Sequence, residues 1–168
     1  MNIFEALSQG KGRINEENTS SFLAYLLKDN ESHGLRREFL KRFLKRADLG
    51  IDDIDDYNVS VKLEYNINNK RILDILITLM DTEENTIKYV IGIENKLSPQ
   101  SCQNQQLLEE FIGLKNIADY KEAEIFMVFL VPDKEDKQIV REYEQAKKET
   151  SSVFLLLWQN VVDEIKSM

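Results

Sequence analysis

Residues 124–131 read Glu-Ile-Phe-Met-Val-Phe-Leu-Val, apolar at every position but the first. A strand with one wet face alternates apolar and polar side chains, whereas an unbroken run marks a strand covered on both faces. Helices must then lie on either side of its sheet, which narrows the fold to a layered α/β arrangement. Three strand candidates precede the run: Tyr57–Ile67, Arg71–Met80 and Thr86–Glu94. Polar connections at Asn68-Asn69 and Asp81–Asn85 suit hairpin turns, so these strands are expected to form an antiparallel meander. A helix from about Ser101 to Asn116, with Leu107, Leu108, Phe111 and Ile112 inward, carries the chain to Glu124–Val131. Such a crossover is expected to be right-handed and to pair its strands parallel.

Two helices come first. Asn15 or Asn18 can cap one that carries Phe22, Leu23, Leu26 and Leu27 at helical spacing. After a turn over 29–34, the other runs to about Ala47 on Leu35, Phe39, Leu40, Phe43 and Leu44. A helix opened by Pro132-Asp133, a strand Val153–Trp158 and a helix Gln159–Ser167 close the chain. The expected order is α-α-β-β-β-α-β-α-β-α: a mixed sheet of a three-strand meander plus a parallel crossover strand, flanked by helices on both faces.

At 168 residues the chain suits one domain, 15–168, behind a flexible lead-in, 1–14, that holds Gly10 and Gly12. The last helix runs to the end of the chain, as if the domain were cut there. No apolar run is long enough to span a bilayer, and no signal-type segment opens the chain, so a cytoplasmic location and no membrane partner are expected. The single cysteine, Cys102, excludes an internal disulfide and a zinc site built on paired cysteines. A net charge of −8 argues against indiscriminate coating of nucleic acid but leaves room for an enzyme with a local basic surface.

Charge also appears where buried strands exclude it. Asp74 interrupts Ile72-Leu73 and Ile75-Leu76-Ile77, and Glu94 and Lys96 end the run Tyr89–Ile93. An ionised group in an apolar strand is costly unless it is paired or binds a metal. Alternation puts Glu94 and Lys96 on one face, with Gly92 leaving room beside them, and puts Asp74 on the face of Ile72 and Leu76. A hairpin centred near residue 83 makes Asp74 and Glu94 cross-strand partners. Two carboxylates so placed repel unless a cation lies between them. Their hard oxygens suit magnesium or manganese, with Lys96 beside a metal-bound water. A buried structural ion pair would use the same residues.

Asp74…Glu94-Asn95-Lys96 resembles the Asp…Glu-x-Lys signature of the PD-(D/E)XK nuclease superfamily, and the predicted order matches that superfamily's restriction-endonuclease-like core. A bacterial branch of unassigned role is similar in more detail. Its first-helix Glu-Asn, Leu-Leu-Asp and His-Gly are matched at Glu17-Asn18, Leu26-Leu27-Lys28-Asp29 and His33-Gly34. Its Arg-Ile-Asp-Ile-Leu-Ile is matched at Arg71–Leu76 with an extra Leu73, its Ile-Glu-Asn-Lys at Ile93–Lys96, and its Gln-Leu at Gln106-Leu107. The likeness spans roughly residues 15–160. The Pro that precedes the first Asp in the family signature is absent, and the aromatic after Gln-Leu is displaced to Phe111.

The resemblance implies a metal-dependent endonuclease. Asp74, Glu94 and the Asn95 carbonyl would bind Mg2+ or Mn2+, and Lys96 would orient the attacking water. Glu17 would add an acidic ligand from the first helix, and Gln106, or its neighbour Gln105, would contact substrate or a metal-bound water. Nucleic acid is the expected partner, DNA ahead of RNA, and a homodimer is the arrangement that nucleases cutting both strands often adopt. Arg36, Arg37, Lys41, Arg42, Lys45 and Arg46 crowd one helix face and are candidate phosphate contacts, although such runs are usually solvated faces. His33 reads as a turn residue and Cys102 as a bystander. The alternative reading is a nuclease fold that no longer cuts and serves as a binding module in a larger assembly.

Overall fold

A computed structural model describes residues 14–168, so the expected lead-in falls almost wholly outside the described residues. The helices are α1 (Glu16–Leu27), α2 (Glu38–Arg46), α3 (Gln106–Lys115), α4 (Lys137–Glu149) and α5 (Trp158–Ser167). The strands are β1 (Tyr57–Asn68), β2 (Arg71–Asp81), β3 (Thr86–Asn95), β4 (Glu124–Val131) and β5 (Val153–Leu157). They form one sheet in the order β1-β2-β3-β4-β5. β1, β2 and β3 pair antiparallel as the meander, whereas β3–β4 and β4–β5 are parallel. Among the described residues no helix is long and apolar enough to cross a membrane.

β4 is covered on both faces, as its unbroken apolar run requires. Phe126, Val128 and Leu130 join a core with Leu23 and Leu27 of α1, Phe39 and Phe43 of α2, and Val161 of α5. Met127, Phe129 and Val131 join a second core with Leu107, Phe111 and Leu114 of α3 and Ile139 and Ala146 of α4. Gly92 of β3 lies under this second layer. A Cβ there would stand 2.6 Å from Met127 Sδ and 3.0 Å from Leu73 Cδ2. The small residue therefore admits core side chains and leaves no open space beside the site.

Several helix boundaries follow local chemistry. Asn15, not Asn18, caps α1, its Oδ1 accepting from the Asn18 N–H at 2.8 Å. α4 starts later than Pro132-Asp133 suggests, because Asp136 caps it by accepting from Gln138 and Ile139 N–H. α3 starts at Gln106, five residues later than its polar lead suggests, after a single 3-10 turn at Pro99–Ser101. Gln105, just before it, has φ 59, a left-handed conformation that cannot extend a right-handed helix. Trp158 opens α5 and does not end β5. Within α3, Leu114 is buried while Ile112 is 47% exposed, and the inward stripe includes Glu110.

Candidate active site

The β2–β3 register runs as the hairpin arithmetic expects from Leu79↔Tyr89 to Ile75↔Ile93, with one irregularity near the turn. Asp74 and Glu94 occupy the next step beyond the last ladder pair. Asp74 Oδ2 accepts the backbone N–H of Asn95 at 2.7 Å, so the side chain continues the strand pairing. Simple alternation fails around it. Leu73 and Leu76 both pack under α3 and α4, Ile75 packs on the opposite face, and Ile72 is 60% exposed. On the other side the ladder passes from Leu63↔Ile75 to Tyr65↔Leu73 without pairing Glu64 with Asp74, and Glu64 has φ 48. The register is the same on either side of this unpaired step, so Leu73 turns to the α3 and α4 layer without a shift in pairing.

Glu94 and Lys96 do share a face. Lys96 Nζ lies 2.7 Å from Glu94 Oε1, and both residues are buried. Gln106, from the start of α3, donates Nε2 to the same Glu94 oxygen at 2.6 Å and to Glu110 Oε1 at 2.9 Å. Gln105 is exposed. Glu94 Oε2, Gln106 Oε1 and Glu110 Oε2 are buried with no protein partner. Burial, then the charge of Asp74, pushes the Glu94 carboxyl up to about 7 against the pull of Lys96. Glu110 is driven well above the usual carboxylate range by burial and by Glu94. Burial raises Asp74 too, against the Asn95 N–H and Lys96, with Glu16 and Glu64 adding repulsion. For Lys96, burial works to lower the ammonium, but Glu94, Glu16 and Asp74 together raise it, so it stays a cation.

The first helix contributes Glu16 in place of Glu17. Glu16 Oε1 accepts from the Leu97 N–H at 3.0 Å and from Ser101 Oγ at 2.5 Å, just beyond Lys96. Glu17 is exposed, and its side chain has no hydrogen bond or ion pair with another described residue. Asn95 is a hub. Its Nδ2 donates to Thr19 Oγ1 at 2.8 Å, Ser20 Oγ at 3.0 Å and the Glu16 carbonyl at 3.2 Å, and its Oδ1 accepts from Trp158 Nε1 at 2.8 Å.

The basic face of α2 is largely neutralised. Arg37 pairs with Asp29, Lys41 with Asp55, Arg42 with Glu38 and Glu164, and Arg46 with Glu164. Arg36, in the turn before α2 with φ 50, and Lys45 are exposed and pair with no acid among the described residues. His33 is indeed built into its turn: Nδ1 accepts from the Leu35 N–H at 2.9 Å and Nε2 donates to the Lys28 carbonyl at 2.8 Å.

A family model described as the PD-(D/E)XK nuclease superfamily matches residues 1–166. The chain belongs to that superfamily. No curated protein and no solved structure matches it. The mixed sheet flanked by helices is consistent with the superfamily's restriction-endonuclease-like fold. Membership supports a nuclease-type function in general terms, with nucleic acid as the substrate class and divalent metal as the usual cofactor.

The donor set of this superfamily member fits a hard divalent cation. It offers carboxylate oxygens with no thiol or imidazole, and the buried Glu94 Oε2 lacks a partner. Among the described residues no three His, Cys, Asp or Glu side chains stand together as a group that could hold a metal ion. Sequence reasoning missed Glu110 and Glu16. Glu110 was detectable, because it shares an inward stripe with Leu107, Phe111 and Leu114 where a carboxylate is out of place.

Proposed function

We propose that the chain is a divalent-metal-dependent nuclease that hydrolyses phosphodiester bonds in DNA. One observation carries the reading. Lys96 and Gln106 hold one oxygen of Glu94 and leave the other unpartnered, at the strand position facing Asp74. That arrangement orients a ligand oxygen without consuming it. Mg2+ or Mn2+ held by Asp74, Glu94 and the Asn95 carbonyl would polarise the phosphate and lower the pKa of a bound water. Lys96, kept cationic by its acidic neighbours, would orient the attacking water and stabilise negative charge developing at phosphorus. Hydrolysis joins the water oxygen to phosphorus and breaks one P–O ester bond, releasing a phosphomonoester and a hydroxyl. Substrate contact on this side falls to Lys45 on α2 and to Arg36 in the turn before it, the basic residues of the 36–46 run not tied to a described acid. A homodimer is the arrangement that cutting both strands of a duplex would favour.

The test is cleavage of a panel of DNA and RNA substrates, single- and double-stranded, with and without Mg2+. Wild type should cut DNA only with metal, and Lys96→Ala and Asp74→Asn should each lose about 100-fold or more. Equal cleavage by wild type and Lys96→Ala would overturn the assignment. Absence of any cleavage would favour the non-cutting binding module.

A further inference from the structure

α4 buries one carboxylate that the proposed chemistry does not use. Glu142 is 4% exposed. Its Oε2 accepts the backbone N–H of Gln105 at 2.9 Å, and its Oε1 accepts that of Leu107 at 2.9 Å. First-turn N–H groups have no partner within their own helix. Here the cap comes from another helix, because Gln105 offers no side-chain cap of its own. Gln105 also holds a left-handed backbone, φ 59 and ψ 16, which a non-glycine residue keeps only under outside restraint. Between the two clamped amides sits Gln106, whose Nε2 is the donor to Glu94.

We propose that Glu142 is a positioning residue for the metal-binding carboxylate Glu94. By fixing the backbone of 105–107, it aims the Gln106 amide at Glu94 Oε1. That leaves Oε2, the unpartnered oxygen, in place for a cation. The chain of contacts runs from α4 through the first turn of α3 to the end of β3. An N-cap side chain at position 105 could satisfy the Leu107 amide, but it would not tie the start of the helix to α4. The proposal rests on the metal-binding reading of Asp74 and Glu94.

The experiment is calorimetric titration of metal-free protein with Mn2+, on the full chain. It compares wild type, Glu142→Ala, Glu142→Gln, Gln106→Ala, the Gln106→Ala/Glu142→Ala double variant and Asp74→Asn, with circular dichroism confirming that each is folded at the titration temperature. Loss of such an outer partner typically weakens metal affinity about 10–100-fold. Glu142→Ala should fall in that range. Glu142→Gln, which keeps one acceptor for Leu107, should lose less and serves if the alanine variant does not fold. If Glu142 acts through Gln106, the double variant binds no more weakly than Gln106→Ala alone.

A residue that merely caps the helix would lower the melting temperature but leave Mn2+ affinity of the folded protein unchanged, and that result overturns the proposal. So do fully additive losses in the double variant. Binding that Asp74→Asn abolishes but Glu142→Ala leaves intact defeats this proposal alone. Absence of Mn2+ binding in wild type, or binding unaffected by Asp74→Asn, defeats the metal-binding reading with it.

Discussion

Glu94 Oε1 receives both an ammonium and an amide hydrogen, while Oε2 receives neither. That asymmetry locks the carboxylate's rotation, which a free carboxylate would pay for in entropy on binding a cation. Glu16 has a different part. It spans the chain just after Lys96, accepting from Leu97 N–H and Ser101 Oγ, and adds negative charge near Asp74 and Lys96. Truncating it strands those donors, and losing one partner of a half-buried bond costs about 1–3 kcal/mol. Glu16→Ala should therefore lower the melting temperature by several degrees, roughly 2–4 °C per kcal/mol. Glu17→Ala, at an exposed position without partners, should change it by about 1 °C or less. Thermal melts of the two variants check the order, and the reverse order would refute the placement of Glu16. Sequence could not choose between these adjacent acids. Neighbouring residues on a helix point about 100° apart, and only the docking of α1 onto β3 selects which one faces the site.

Asn95 explains how three elements converge on the motif. Its side chain joins α1 through Thr19 and Ser20 and α5 through Trp158, while its own N–H holds Asp74 on β2. Asn95→Ala would strand the half-buried indole N–H and remove the amide donor from the buried Thr19 and Ser20 hydroxyls, at a cost of about 2–4 kcal/mol. The expected result is a lower urea midpoint together with an altered emission spectrum from Trp158, the single tryptophan. An unchanged midpoint would mean that α1 and α5 are held independently of Asn95. At this scale most of the fold was legible. The polar connections and the apolar run defined the strands, and the turn centre predicted the Asp74–Glu94 register. Three things were hidden for physical reasons. The departure from alternation at Leu73 coincides with φ 48 at Glu64 in the neighbouring strand. The late start of α3 goes with the left-handed backbone of Gln105 and with a clamp from Glu142, far along the chain. Gly92 looked like open space until Met127 and Leu114 filled it from other elements.

For the whole molecule, the buried carboxylates make stability a function of pH and of metal. Glu94 rises from 4.5 to about 7, by burial and then the charge of Asp74, and Glu110 rises well above its usual range by burial and then the charge of Glu94. The folded state therefore holds protons that the unfolded chain has released. That stabilisation is complete below the unfolded value of about 4.5 and is lost as pH rises through about 7. For Glu94 the full difference corresponds to roughly 3 kcal/mol, of which about 1 kcal/mol disappears between pH 6 and pH 8. Glu110 adds to it in the same direction. Chelator-treated protein should thus melt several degrees lower at pH 8 than at pH 6. Glu110→Gln, which removes one of the two like charges sharing the Gln106 amide, should flatten the dependence and raise the melting temperature at pH 8. A divalent cation competes with these protons, so Mn2+ should restore more stability at pH 8 than at pH 6. Melting curves at pH 6, 7 and 8, with chelator or with Mn2+, check all three. A chelator curve that stays flat or climbs toward pH 8 would mean that Glu94 and Glu110 are already ionised in the fold.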